Sequence, residues 1–151
     1  MKQWKSIDEV LDFAIGNEED AMSLYNDLAA KMDNPAMRTV FEEFAEEEAG
    51  HKAKLLKIKA AGTFEPSSKK VLDLKVGDYL VAVTPKGDMS YQDALILAMK
   101  KEKAAFKLYM NLYESVDDAG LKETMLALAQ EEAKHKLRFE MEYDDKFMTE
   151  M

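Results

Sequence analysis

The sequence predicts an all-α fold, a four-helix bundle made of two repeated antiparallel helical hairpins joined by a long crossover. Three observations carry that expectation. Apolar residues recur at steps of three and four along four segments. Turn-forming residues cluster between those segments and are otherwise scarce, with 6 Gly and 3 Pro in 151 residues. The second half of the chain also repeats the first at a fixed offset of 84 residues, without a gap.

Ser6 followed by Glu9 reads as a capping box that opens the first helix. Ile7, Val10, Leu11, Ala14, Ile15, Ala21, Met22, Tyr25, Leu28 and Met32 then mark one face of it. Asp33-Asn34-Pro35 reads as a tight connection, with Asn34 as the cap and Pro35 at the first helical position. The second helix carries Met37, Phe41, Phe44, Leu55 and Ile58 on its inner stripe and stops near Gly62. A third begins at Ser90, with Asp93 three residues on, and runs through Ala94, Ala98, Ala105, Tyr109 and Leu112. Asp117-Asp118-Ala119-Gly120 makes the next turn. The fourth carries Leu121, Met125, Leu128 and Phe139 and is expected to fray around Asp144 and Asp145.

The expected organisation over 1–151 is one domain, with hairpins at 6–61 and 90–148 and a crossover at 62–89. Within the crossover, Val71 to Val83 is apolar but of ambiguous period, and reads as a short helix or an irregular crossing. Its length can return the chain to the end where the second helix began, which makes the second and third helices parallel.

Composition narrows the function. The formal charge is −9, so nucleic acid is not an expected partner. Zero cysteines exclude disulfides, thiolate zinc sites, cysteine nucleophiles and any iron–sulfur or rubredoxin-type centre in these 151 residues. No stretch approaches the ~20 apolar residues needed to span a bilayer, and acids follow soon after the N-terminus. A cytoplasmic protein with no membrane partner is expected. The eleven Met read as packing, and Trp4 has no assignable role.

The repeat carries the chemistry. At the offset of 84, Glu18 falls on Glu102, Tyr25 on Tyr109, Glu47 on Glu131, Glu48 on Glu132 and His51 on His135. Both histidines of the chain therefore sit in Glu-x-x-His, a spacing that places the pair on one helix face. Glu18 lies between Ile15 and Ala21 on the apolar stripe, and Glu102 between Ala98 and Ala105. Glu48 and His51 lie between Phe44 and Leu55; Glu132 and His135 lie between Leu128 and Phe139. All six polar groups point into the core, where an unpaired carboxylate costs several kcal/mol or is neutralised. Two divalent cations remedy that, because four Glu offset two dications when the imidazoles are neutral. A single Glu-x-x-His is commonly accidental; two at one offset with inward acids are not. Glu19, Glu46, Glu47 and Glu131 lie off the stripe and read as solvated. Tyr25 and Tyr109, on the face of Glu18 and Glu102, are expected to hydrogen-bond ligand carboxylates.

The pattern Ala14-Ile15-x2-Glu18-x2-Ala21-x3-Tyr25 with Glu48-x2-His51, present twice, resembles the ferritin-like superfamily. Within it the chain is most similar to rubrerythrin-type di-iron carboxylate proteins lacking the rubredoxin domain. The resemblance covers both hairpins and leaves out the crossover and the tail. It implies two Fe ions per site, with Mn or Zn as alternatives, bridged by Glu48 and Glu132. Glu18 with His51 and Glu102 with His135 would cap them. The implied activity is reduction of H2O2 or O2 in oxidative-stress defence, with an external electron-transfer protein such as rubredoxin as donor. The alternative is a ferroxidase or iron-sequestering protein without sustained turnover. Ala105 stands where rubrerythrins carry an extra glutamate, which makes the site more like the symmetric ferritin or bacterioferritin centre. A homodimer is the expected assembly, and the long crossing between similar hairpins would permit a domain swap.

Overall fold

The computed structural model describes residues 7–62, 87 and 89–148. Four helices follow in order: α1 (Ile7–Ala30), α2 (Pro35–Ala61), α3 (Tyr91–Ser115) and α4 (Ala119–Tyr143). The proposed Ser6 cap and the Val71–Val83 segment lie outside the described residues.

Each described helix start is set by a side chain that answers an orphan backbone N–H. The Asn34 Oδ1 accepts from the amides of Ala36, at 2.8 Å, and Met37. Pro35 follows at the first helical position, where its missing N–H removes no bond. Ser90 Oγ accepts from Asp93 N at 3.1 Å, and Asp118 Oδ1 from Leu121 N at 2.9 Å. Gly62 ends α2 in the left-handed region at φ 59°, where a side chain would be strained, and its N–H reaches Ile58 O.

The C-terminus departs from expectation. In place of a fray, a π-helical turn over Asp144–Met148 extends α4. Its aromatic content explains the order. The Phe147 ring lies 5.3 Å from Tyr143 and 6.4 Å from Tyr91, so the last turn stays packed on the start of α3.

Cross-helix contacts fix the direction of each helix. Lys59 pairs with Asp12 and Lys52 with Glu19, so α1 and α2 run antiparallel. Tyr91 reaches Glu142, and Lys122 reaches the Tyr113 carbonyl, so α3 and α4 do too. The rings of Phe41 and Tyr91 are 5.9 Å apart, which brings the starts of α2 and α3 together. Those two helices are therefore parallel, as expected; the crossover at 62–89 lies almost wholly outside the described residues.

The buried apolar residues form two clusters, one towards each end of the bundle. One is largely aliphatic and includes Val10, Leu11, Leu55, Leu112, Met125 and Leu128 around Tyr109. The other is rich in rings and places Phe41, Phe44 and Phe139 around Tyr25. Among the stripe positions read from sequence, Met22, Met37 and Ile58 are only half-buried.

Phe139 is fully buried and lies 4.1 Å from the Phe44 ring. Phe139→Ala is expected to cost about 3–5 kcal/mol in urea denaturation of the apoprotein, through lost burial and the cavity left behind. Leu137→Ala, at a position 55% exposed, is expected to change stability by less than about 0.5 kcal/mol.

Candidate metal centre

The two apolar clusters are separated by a polar layer. Glu18, Glu48, Glu102 and Glu132 are all completely buried, and His51 and His135 nearly so. Every helix contributes: Glu18 from α1, Glu48 and His51 from α2, Glu102 from α3, and Glu132 and His135 from α4. The three-residue spacing in α2 and α4 puts each Glu and its His on one inward face.

The six residues form two overlapping quartets whose donor atoms all lie within 4.8 Å of one another. One is Glu18, Glu48, His51 and Glu132; the other is Glu48, Glu102, Glu132 and His135. Glu48 and Glu132 are common to both, so two ions held here would share them as bridges. Both imidazoles face the cluster through Nδ1. That of His51 is 3.0 Å from Glu18 Oε2 and 2.7 Å from Glu132 Oε1, and that of His135 is 3.1 Å from Glu48 Oε1. The rings are parallel within 5° at 5.6 Å.

The donor set fits a pair of cations better than it fits itself. Both oxygens of Glu48 and of Glu132, one each of Glu18 and Glu102, and His135 Nδ1 are buried without a properly aligned hydrogen-bond partner among the described residues. They sit close together yet aim past one another, as groups converging on shared points do. Buried polar atoms in that number are otherwise rare.

Electrostatics agree. Burial pushes the Glu18 and Glu48 carboxyls from an ordinary 4.5 up to about 7. Burial, then the charges of Glu102 and Glu48, raises Glu132 as well. Burial opposes a charge on His135, but bonding to Glu102 and Glu48 outweighs it and pushes the imidazole up to about 10. His51 goes the other way, lowered chiefly by burial. Without cations the cluster thus holds extra protons in their place.

The tyrosines behave differently from each other. Tyr25 donates to Glu102 Oε1 at 2.5 Å, across the bundle, not to Glu18 on its own helix. Tyr109 is equally buried, and its hydroxyl bears on Glu18 from the opposite hairpin without an aligned hydrogen bond. After burial itself, the Glu18 charge is the largest influence on that phenol.

Sequence reasoning missed four participants. Glu47 is exposed as expected, yet its Oε2 lies 2.8 Å from His135 Nε2, on the side of the ring away from the cluster. Arg138 stands 3.7 Å from the other Glu47 oxygen. Asn17 and Lys101 are both buried and joined by a 3.0 Å hydrogen bond from Nζ to Oδ1. They precede Glu18 and Glu102 directly and are themselves 84 residues apart. A polar pair at matching repeat positions beside two candidate ligands was the legible signal. Burial lowers the Lys101 ammonium, and Asp20, Glu18, Glu48 and Glu102 oppose that shift.

Comparison with known proteins follows the same lines. The family model of rubrerythrin matches residues 9–91, a span that holds Glu18, Glu48 and His51. A hypothetical protein from Pyrococcus furiosus is 30% identical, with a TM-score of 0.73 over 92% of this chain and 89% of that one. A candidate ferritin-like diiron-carboxylate protein from Thermotoga maritima is 17% identical, with a TM-score of 0.73 over 96% of this chain and 99% of that one. A conserved hypothetical protein from Mycobacterium tuberculosis is 14% identical, with a TM-score of 0.70 over 93% and 92% of the two chains. The last two share the fold. No curated protein matches significantly. No helix among the described residues is long and apolar enough to cross a membrane.

The raised carboxyls make apoprotein stability depend on pH with a definite sign. Glu18 and Glu48 have folded values of about 7 against an ordinary 4.5, so the stability they contribute is full below 4.5 and is lost as pH rises through 7. His135, pushed up to about 10, acts in the same direction and His51 opposes it. The apoprotein is therefore expected to melt about 5–10 °C higher near pH 5 than near pH 8. Differential scanning calorimetry checks this. Bound divalent ions, which compete with those protons, should reverse the trend.

Proposed function

The chain belongs to the rubrerythrin family, and from that premise we propose a dinuclear non-haem iron oxidoreductase that reduces H2O2 or O2 with electrons from an external carrier such as rubredoxin. The observation that carries the reading is the pair of buried quartets sharing Glu48 and Glu132. Glu18 with His51 would hold one ion and Glu102 with His135 the other. Carboxylate and imidazole donors suit Fe or Mn, and zinc would fit the same donors without redox chemistry.

Two ferrous ions, when bound, would supply two electrons, one per ion, which with two protons would reduce one H2O2 to two waters, and the external carrier would return the two electrons. The protein's own residues prepare that chemistry. Glu48 and Glu132, shared by both quartets, would set the spacing of the two positions. Tyr25, kept protonated by burial and by the Glu102 charge, fixes the orientation of Glu102 through its 2.5 Å bond. The two apolar clusters flank the polar layer and restrict water. The Lys101 ammonium, held by Asn17, adds a positive charge beside four acids.

A second reading, iron oxidation and sequestration without sustained turnover, is favoured by Ala105. This residue is buried, and its methyl stands where rubrerythrins place an additional glutamate. We take the protein to act in the cytoplasm as a homodimer under either reading.

Anaerobic Fe(II) titration of the apoprotein, followed by near-infrared circular dichroism, tests the proposal. Saturation at about two ions per chain is expected, and then rapid oxidation on adding H2O2. Repeated cycles with reduced rubredoxin support the oxidoreductase; ferric iron that accumulates without cycling supports sequestration. Glu132→Gln, which removes a shared bridge, should leave fewer than two ions bound. Binding of one ion or none by the unaltered protein, or no reaction with peroxide, contradicts the redox reading.

A further inference from the structure

We infer that the two metal positions are unequal, and that the one formed by Glu102 and His135 is preorganised by Glu47 and Tyr25 to bind its ion first and more tightly. The inference rests on the dinuclear reading above and concerns residues outside the ligand set.

The internal repeat makes the comparison a controlled one, because each residue around one position has a counterpart 84 residues away around the other. Ligands match identically: Glu18 with Glu102, Glu48 with Glu132, His51 with His135. Their supports do not. Glu47 and Glu131 are the same residue type at equivalent places, yet they do different things. Glu47 Oε2 lies 2.8 Å from His135 Nε2. A carboxylate there keeps a proton on Nε2, so Nδ1, which faces the cluster, is the nitrogen that gives up its proton to an ion, and the ring is already turned for it. Glu131 acts on His51 only through its charge, and its carboxylate contacts Lys134 Nζ at 3.5 Å on its own helix.

The repeat also explains why. Lys134 stands three residues after Glu131 and draws its carboxylate along the helix surface. The residue three after Glu47 is Gly50, with no side chain to compete. Arg138 then reaches Glu47 Oε1 at 3.7 Å from α4, the helix that carries His135, and steers the carboxylate towards it.

A second difference points the same way. Tyr25 is enclosed by Phe41, Phe44 and Phe139, whose ring centroids lie 5.7–6.4 Å from its own, and its hydroxyl is bonded to Glu102. The counterparts around Tyr109 are Met125, Leu128 and Leu55, flexible aliphatic side chains. The Tyr109 hydroxyl bears on Glu18, the counterpart of Glu102, but without the aligned bond that Tyr25 makes. Rings with two side-chain torsions hold a phenol more rigidly than a thioether and two leucines do. Both ligands of the Glu102–His135 position that are not shared are thus pre-oriented before an ion arrives, which lowers the ordering cost of binding.

An anaerobic Co(II) titration of the apoprotein, read by d–d absorption against a competing chelator, tests the inference without any turnover. Two steps are expected, their dissociation constants separated by about tenfold or more, beyond the about fourfold statistical spread of two identical sites. Glu47→Gln should weaken the first step by about tenfold and leave the second. Tyr25→Phe should act similarly, whereas Glu131→Gln should change neither step. Glu102→Gln should abolish the tight step, and Glu18→Gln the weak one. Two ions bound with only statistical separation overturn the inference and leave the dinuclear reading intact. So does a Glu47→Gln titration that superimposes on the unaltered one, or a Glu131→Gln effect equal to it. Fewer than two ions bound by the unaltered protein overturns the dinuclear reading itself, and the inference with it.

Discussion

Four carboxylates and two imidazoles buried together at the waist of a helical bundle are the constraint on which the rest depends. Solvent cannot satisfy them, and their mutual contacts leave most of their polar atoms without an aligned partner. Whatever neutralises them joins four helices that otherwise pack mainly as two pairs. An apolar layer of the same volume would stabilise an apoprotein better. Retaining the acids makes sense when a pair of cations completes the core.

That constraint organises the architecture around it. The site divides the core into an aliphatic end and an aromatic end. Antiparallel hairpins bring Glu18 opposite Glu48 and His51, and Glu102 opposite Glu132 and His135, because each inward Glu lies as far from its turn as its partners do. Parallel α2 and α3 then place the two hairpins head to tail, their turns at opposite ends of the bundle, about a pseudo-twofold that crosses the bundle between the histidines. The 84-residue offset in sequence and the parallel rings at 5.6 Å are two views of that symmetry.

Most of this was legible in the sequence. Apolar stripes, the Asn34 and Ser90 caps and the Gly62 stop follow from local chemistry that tertiary packing did not override, whereas Asp118 reads from the sequence only as part of a turn. The six clustered residues were legible for a different reason: a charged residue on an apolar stripe contradicts its surroundings, and doing so twice at one offset is not chance. Illegible were features that depend on distance across helices. Glu47 lies on the solvated face by periodicity, and only the crossing of α2 and α4 brings one of its oxygens to His135. The Tyr25 bond runs to the opposite hairpin for the same reason. The final turn was read as a fray because its acids are visible in the sequence, whereas the packing of Phe147 on Tyr91 and Tyr143 is not.

The duplication also shows where two similar halves have parted. Ligand positions stayed fixed because each sits at the common centre, where any change strands its neighbours. One layer out, Gly50 corresponds to Lys134, Asn17 to Lys101, and three aromatic residues to a methionine and two leucines. Those exchanges cost little in packing, yet they alter how firmly each ligand is held. The most direct measurement of the account is an anomalous-scattering map of crystals grown with Mn(II). The account predicts two peaks about 3.5–4 Å apart between Glu48 and Glu132, one beside Glu18 and His51 and the other beside Glu102 and His135. A single central peak, or peaks confined to surface acids, would contradict it.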